Sequence, residues 1–491
     1  MEPNEKETQL QKEINKIFSE IDNKIPKIIF THIDNTTKAH NSKAFIIDRK
    51  DNYCVGDSLI VQVDMFDYLG RKKTYGGDLM MARIFSPEIK AGASGKVYDL
   101  GNGSYHIHFT FFWEGTVQIS ILLIHPSEGV SALWQARNKG HGYVSYRGHF
   151  VKDGQEAKVT CGFEPNRKLE LCEYSDVKEE EYFYCERPMN MPCGSLVHVM
   201  SDFIDSHSYL SGLEKKLFIK SNIRVEIPKD FATISVSQCN NSVNNEMNKC
   251  SPGMKYNYPN GYFYQNWWNH LSCKVSRYRS MDDINECIKG KSLYLRGDST
   301  MRQWMTYLSN HVESLKRFNL YNANGSNTCL YLDMGRNIKI EWRRHANPYI
   351  LPIFHPSKDE FTISNQIDQS LGNQNTVFVF TLGMHFRLFP IKHYIRRLLN
   401  IRRAIENLHL RSPETIVVVK AENTSEMSER VEMLSDFHGY LQYSIMMNIF
   451  QGLNIALVDA WDMTNAIACE KTHPDEDVIA NEVDFLLSYL C

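Results

Sequence analysis

A chain of 491 residues, 42% hydrophobic and 23% charged, is long enough to bury two or three separate cores, and it contains no low-complexity tract. A net charge of −3 excludes a nucleic-acid binder recruited by bulk charge. No apolar run approaches the roughly eighteen residues of a membrane span.

Residues 1–26 are charged and lack the apolar stretch of a secretory signal. Leu10, Ile14, Ile17 and Ile21 fall instead at helical spacing and predict a short amphipathic helix. Residues 27–164 read as all-β. Tyr105 to Phe112 alternates cleanly, Ser58 to Met65 and Val117 to Ile121 partly, and turn signals such as Gly76-Gly77 and Glu114-Gly115 fall between them. Regular short strands of this kind predict a β-sandwich of immunoglobulin type, and Val97-Tyr-Asp-Leu-Gly-Asn-Gly-Ser-Tyr105 resembles a filamin repeat.

Residues 165–260 read as a connector stapled by disulfides. Seven of the twelve cysteines lie between 161 and 273, and none forms a Cys-x-x-Cys pair. A zinc site would want paired short spacings, so disulfides are the better reading, with pairing left open. They imply an oxidising compartment. Sequons at Asn35, Asn102, Asn240, Asn324 and Asn423 agree. The expected location is the secretory pathway, in the Golgi lumen or outside the cell, with a leader or anchor outside this chain.

Residues 261–491 alternate strands and helices. Strands are expected at Ser292–Leu295, Cys329–Leu332, Ile338–Trp342, Thr376–Leu382, Thr415–Val419 and Ile455–Asp459. Helices are expected at Met301–Leu315, His393–Asn407, Ser425–Ile449 and Val478–Leu490. The pattern predicts a parallel sheet covered by helices, with ligands at the carboxyl ends of its strands.

One junction stands out. Gly297-Asp298-Ser299 separates an apolar strand from a helix. Glycine permits the turn, aspartate caps, and Ser299 lands where the helix N-terminus favours developing negative charge. A nucleophilic serine needs a base, an acid to orient the base, and oxyanion donors. His473, in a loop before the last helix, is the candidate base. Glu470, Asp459 and Asp462 are the candidate acids. The Ser299 amide, Gly335, Gly383 and His385 are the candidates for the oxyanion or the substrate. Arg396, Arg397, Arg402 and Arg403 read as the solvated face of their helix, with an acidic glycan as the functional alternative. No metal site is expected.

Leu295-Arg-Gly-Asp-Ser-Thr-Met-Arg-Gln-Trp304, Gly383-Met-His-Phe-Arg387, Asp459-Ala-Trp-Asp-Met-Thr464 and the ending from His473-Pro474 to Leu486-Leu-Ser-Tyr-Leu-Cys491 closely resemble the NXPE family. Gly76-Gly77-Asp78 and the segment Ile124 to Trp134 extend the resemblance to about residue 27. That family joins a neurexophilin-like region to a PC-esterase domain, which is similar to SGNH hydrolases. The resemblance implies Ser299 as nucleophile and His473 as base. It also implies acyl transfer or hydrolysis on glycans, most simply O-acetyl transfer to a sialic acid or other glycan hydroxyl. Acetyl-CoA would be the acyl donor, and no cofactor stays bound. Glu470 departs from the family's aspartate, and His385 stands near where relatives place an oxyanion asparagine. The alternative is an inert secreted protein whose neurexophilin-like region engages a receptor of neurexin type.

Overall fold

The computed structural model describes residues 7–164, 166–239, 247–318, 328–425 and 429–491. In the N-terminal region the predicted alternation becomes pairing. Ser58–Asp64 lies antiparallel to Ser104–Thr110, with Leu59 opposite Phe109 and Val61 opposite Ile107. Those side chains point to one face and are buried. Lys43–Ile47 and Lys96–Asp99 complete this four-stranded sheet. An eight-stranded sheet built around Leu79–Ser86 and Gly115–His125 shares a hydrophobic core with it. The all-β reading of this region fails at one place, the helix Ser127–Arg137. That helix is buried on nearly every side, so it shows no apolar stripe by which a sequence reading could find it.

The strand pairing runs across the divisions drawn from sequence. Val144–Lys152, Gln155–Gly162, Leu171–Asp176, Glu181–Glu186 and Leu196–Phe203 form a sheet together with the distant pair His355–Pro356. Ile234–Ser237 and Gly261–Tyr264 join the eight-stranded sheet. Ten cysteines pair as 54–239, 161–185, 172–193, 250–273 and 287–491. Cys329 and Cys469 are free thiols.

The C-terminal region is a seven-stranded mixed sheet with helices. Ile338–Arg343, Ser292–Arg296, Thr376–Phe380, Ile416–Lys420 and Ala456–Val458 run parallel in that spatial order. The expectation of a wholly parallel sheet is corrected at one edge. Cys329–Asp333 turns back as a hairpin onto Ile338–Arg343, and Lys316–Phe318 follows it antiparallel. A four-residue turn cannot make the crossover that a parallel pair needs. The expected helix from 425 to 449 is two helices, Val431–Leu434 and Asp436–Ile449, with Ser435 capping the second. Residues 426–428 lie outside the described ones.

The arginine-bearing helix spans Ile391–Arg411, and its basic face is solvated at Arg403 but covered at Arg397. The predicted amphipathic helix, Gln9–Asp22, packs on it through Leu10, Ile14 and Ile17. On another side Arg397 is 1% exposed and forks onto Glu181, with Nε to Oε1 at 2.6 Å. The N-terminal strands also touch the C-terminal region closely. A Cβ built at Gly92 would lie 2.2 Å from the Ala466 carbonyl oxygen, so only glycine fits. Beside it, Asn465 Nδ2 donates to Ser94 Oγ at 2.9 Å.

Candidate active site

The strand Ser292–Arg296 ends between two parallel neighbours, and the chain must turn away at once. A Cβ at Gly297 would lie 2.6 Å from Thr381 Cγ2, so glycine is what lets the turn sit against the adjoining strand end. Asp298 then caps the helix Ser299–His311, accepting from Thr300 N at 2.8 Å and Thr300 Oγ1 at 2.7 Å. Ser299 is the first helical residue. Its N–H has no intrahelical acceptor and points with the positive end of the helix dipole.

The base arrives from the far end of the sequence. His473 Nε2 lies 2.6 Å from Ser299 Oγ, across a sequence separation of 174. Two contacts hold the two elements in register. Gln303, one turn beyond the serine, donates from Nε2 to the Pro474 carbonyl at 3.0 Å. Deeper, Trp304 Nε1 donates to Glu482 Oε2 at 2.6 Å, and Lys420 Nζ stands 3.7 Å from the same carboxylate. All three side chains are fully buried, so this charge pair has no solvent alternative. The Cys287–Cys491 bond pins the end of the final helix, Glu476–Leu490. Together these elements wall a groove of about 440 Å³ lined by Ser299, Arg302, Gln303, Asn310, His473 and Glu476.

Beneath the serine lies a buried polar layer. The His385 ring accepts at Nδ1 from Ile350 N at 3.0 Å, so its proton is on Nε2. Burial drives this imidazole down to about 4, against the pull of Asp298. His345 donates from Nδ1 to the Ala346 carbonyl at 2.8 Å, and burial holds it at about 3. Burial alone would raise Asp298, but His385 and the two Thr300 donors keep it below the usual carboxylate range. Both histidines are therefore neutral at ordinary pH and face a single carboxylate.

The other sequence candidates separate into those at this end of the sheet and those elsewhere. Gly383 follows Thr376–Phe380 on the Ser299 side, with Glu422 packed against it. Gly335 is removed from the site. It lies in the hairpin before Ile338, and Arg336 O accepts from Gly290 N ahead of the nucleophile strand, at the opposite end of the strands from Ser299. Glu470 is engaged by Arg224, Oε1 to Nη2 at 3.5 Å. Asp459 caps the helix Ala460–Ala466 and accepts from Tyr443 Oη at 2.7 Å. Asp462 accepts from Asn260 N at 2.5 Å, and burial and then Asp459 push it up to about 8. Among the described residues no carboxylate forms an ion pair with His473. The contact is thus a serine–histidine dyad.

The sequence reading missed Arg302 and Gln303. They sit three and four residues after Ser299, so helical spacing alone could have placed them on its face. Of the sequons, Asn35 and Asn102 are exposed, whereas Asn423 is 3% exposed with Oδ1 held by Lys420. Asn423 is therefore closed to a glycan. Asn240 and Asn324 lie outside the described residues. No helix among the described residues is long and apolar enough to cross a membrane, and no cluster of three metal-ligating side chains occurs among them.

Comparison with known proteins bears on both ends of the chain. Among solved structures, the chain is similar to the Lin-41 filamin domain, at 21% identity over 18% of this chain and 82% of that one, with a TM-score of 0.15. It is also similar to invasin, a bacterial integrin-binding protein, at 8% identity over 63% of this chain and 60% of that one, with a TM-score of 0.15. Neither likeness bears on the fold at these scores. Two family descriptions match. Residues 37–208 match neurexophilin, and residues 268–491 match the C-terminal domain of proteins like NXPE family member 4, the stretch that holds both Ser299 and His473. A neurexophilin-type region followed by that domain is the arrangement the sequence motifs implied, and the chain belongs to the NXPE family.

Proposed function

We propose that this protein is a serine-dependent acyltransferase or esterase acting on a glycan hydroxyl, with O-acetyl transfer to a sialic acid as the leading reaction. One observation carries the reading: a serine hydroxyl at a helix N-terminus, 2.6 Å from an imidazole nitrogen, over an open groove. Ser299 Oγ attacks the acyl carbonyl as His473 Nε2 takes its proton. The Ser299 N–H, free of the helical ladder, donates to the oxyanion. Collapse expels the donor's leaving group, a thiol if the donor is acetyl-CoA, which takes the proton from His473. The acceptor hydroxyl then attacks the acyl-serine, His473 receives its proton, and Ser299 regains it as the acyl group departs.

Arg302 supports an anionic acceptor. It lines the groove, is exposed, and makes no ion pair among the described residues. A sugar carboxylate beside it would supply the missing partner. We assign the C-terminal region to the SGNH type on the same grounds, and the N-terminal sheets to an immunoglobulin-like sandwich. Five disulfides fit a secreted or lumenal protein. A Golgi location would match glycan modification.

The test uses the full chain with its disulfides intact. Ser299→Ala should abolish acetylation of a sialylated acceptor and the covalent acetyl adduct seen by intact mass, with the melting temperature unchanged. Equal acetylation by wild type and Ser299→Ala would end the proposal. The neurexophilin match at 37–208 favours a second reading, an inert binder of a receptor of neurexin type. It predicts receptor capture by the Ser299→Ala chain as well as by wild type. The full chain is needed because Gly92 and Ser94 pack into the C-terminal region.

A further inference from the structure

A second cavity, of about 610 Å³, opens between the disulfide-bonded sheet and the C-terminal region. Strand register sets one wall. Leu171–Asp176 pairs antiparallel with Glu181–Glu186, placing Tyr174 opposite Phe183 and Asp176 opposite Glu181. Cross-strand partners share a face, and so do residues two apart, so two rings and two carboxylates form one patch. The other wall comes from the C-terminal region and includes Arg397 and Asn365. These polar groups hold one another in place. Arg397 forks onto Glu181, and Asn365 Nδ2 donates to Asp176 Oδ2 at 2.7 Å. A carboxylate has about four lone-pair sites, so both acids keep acceptor capacity after these bonds.

The ligand chemistry follows from that inventory. Aromatic rings offer a flat face to C–H groups, and pre-positioned acceptors beside them suit a molecule that donates several hydroxyl protons. A sugar ring has both features. The charged side chains lining the cavity are Glu173, Asp176, Glu181 and Glu360 against Lys358 and Arg397, and with Arg344 paired to Glu360 behind the wall the balance is −1, which disfavours an anion. The volume lies in the range of small-molecule sites. We propose that this cavity is a saccharide-binding site for the uncharged units of an oligosaccharide. The inference does not depend on the chemistry at Ser299.

The experiment titrates lactose, N,N′-diacetylchitobiose and 3′-sialyllactose into the full-length protein, read by calorimetry and saturation-transfer NMR. At least one of the two neutral sugars should saturate with a Kd of about 1 mM or tighter. Gly194 lines the cavity, and a Cβ there meets nothing within 4 Å, so Gly194→Trp should fill the mouth without disturbing the chain. It should weaken binding at least about tenfold at an unchanged melting temperature, and Asn365→Ala, which frees Asp176, should weaken it less. Ser299→Ala should bind as wild type does. The proposal is overturned if neither neutral sugar saturates, or if Gly194→Trp binds the neutral sugars equally well. A failed acetylation assay would leave this binding result standing, so the two readings fail separately.

Discussion

Replacing Glu470 by glutamine separates the dyad from a conventional triad. The family pattern puts an acid three residues before the base, and a triad acid holds its histidine in the working tautomer and stabilises the imidazolium. Losing such an acid costs about 10⁴-fold in kcat, near 5 kcal/mol. In this structure Glu470 instead meets Arg224 at 3.5 Å, and its side chain is 54% exposed. A solvent-screened pair of that kind contributes about 0–1 kcal/mol to stability and nothing direct to the imidazole. Glu470→Gln keeps the volume and removes the charge. The rate of acetyl-serine formation, followed by intact mass after mixing with acetyl-CoA or with p-nitrophenyl acetate, should stay within about threefold of wild type. His473→Ala in the same assay should lose about 10²- to 10⁴-fold, the usual worth of a general base. A hundredfold fall for Glu470→Gln at an unchanged melting temperature would refute the dyad and return Glu470 to the triad.

Gly297→Ala places a methyl 2.6 Å from Thr381 Cγ2 and should cost about 1–3 kcal/mol in denaturant unfolding. Its effect on rate should be larger, about 10²-fold, because the serine moves with the turn. Asp78 is buried and accepts from Tyr105 Oη at 2.8 Å, and burial pushes its carboxyl up from 3.8 to about 6. Such an acid stays protonated in the fold while the unfolded chain ionises. Its contribution to stability therefore falls as pH rises from about 4 to 6 and is constant above. Asp78→Asn should remove that slope and gain on the order of 2–3 kcal/mol relative to wild type between pH 4 and 7, read from unfolding curves at each pH. Asn423→Gln should leave glycan occupancy unchanged by mass spectrometry, since wild-type Asn423 is enclosed. Loss of a glycan on that substitution would show the segment opens before it folds.

Local chemistry was enough for the sequence to determine the local structure. Alternation placed the strands at Ser58 and Tyr105, and helical spacing placed Gln9–Asp22. Gly-Asp-Ser between an apolar strand and an apolar-striped helix determined the turn at Ser299, because each of those residues acts on its own neighbours. The excess of cysteines determined that disulfides form.

What depended on distant segments meeting was decided only by the tertiary structure. The carboxylate before His473 could have turned inward, but Arg224 from the N-terminal half claims it. Gly335 has the composition of an oxyanion turn, yet an antiparallel hairpin carries it to the wrong end of the strands. Arg397 reads as a solvent-facing charge until the strand bearing Glu181 folds over it. In each case the residue type was compatible with several partners, and the free energy that chose among them came from burial, a property of the assembled chain.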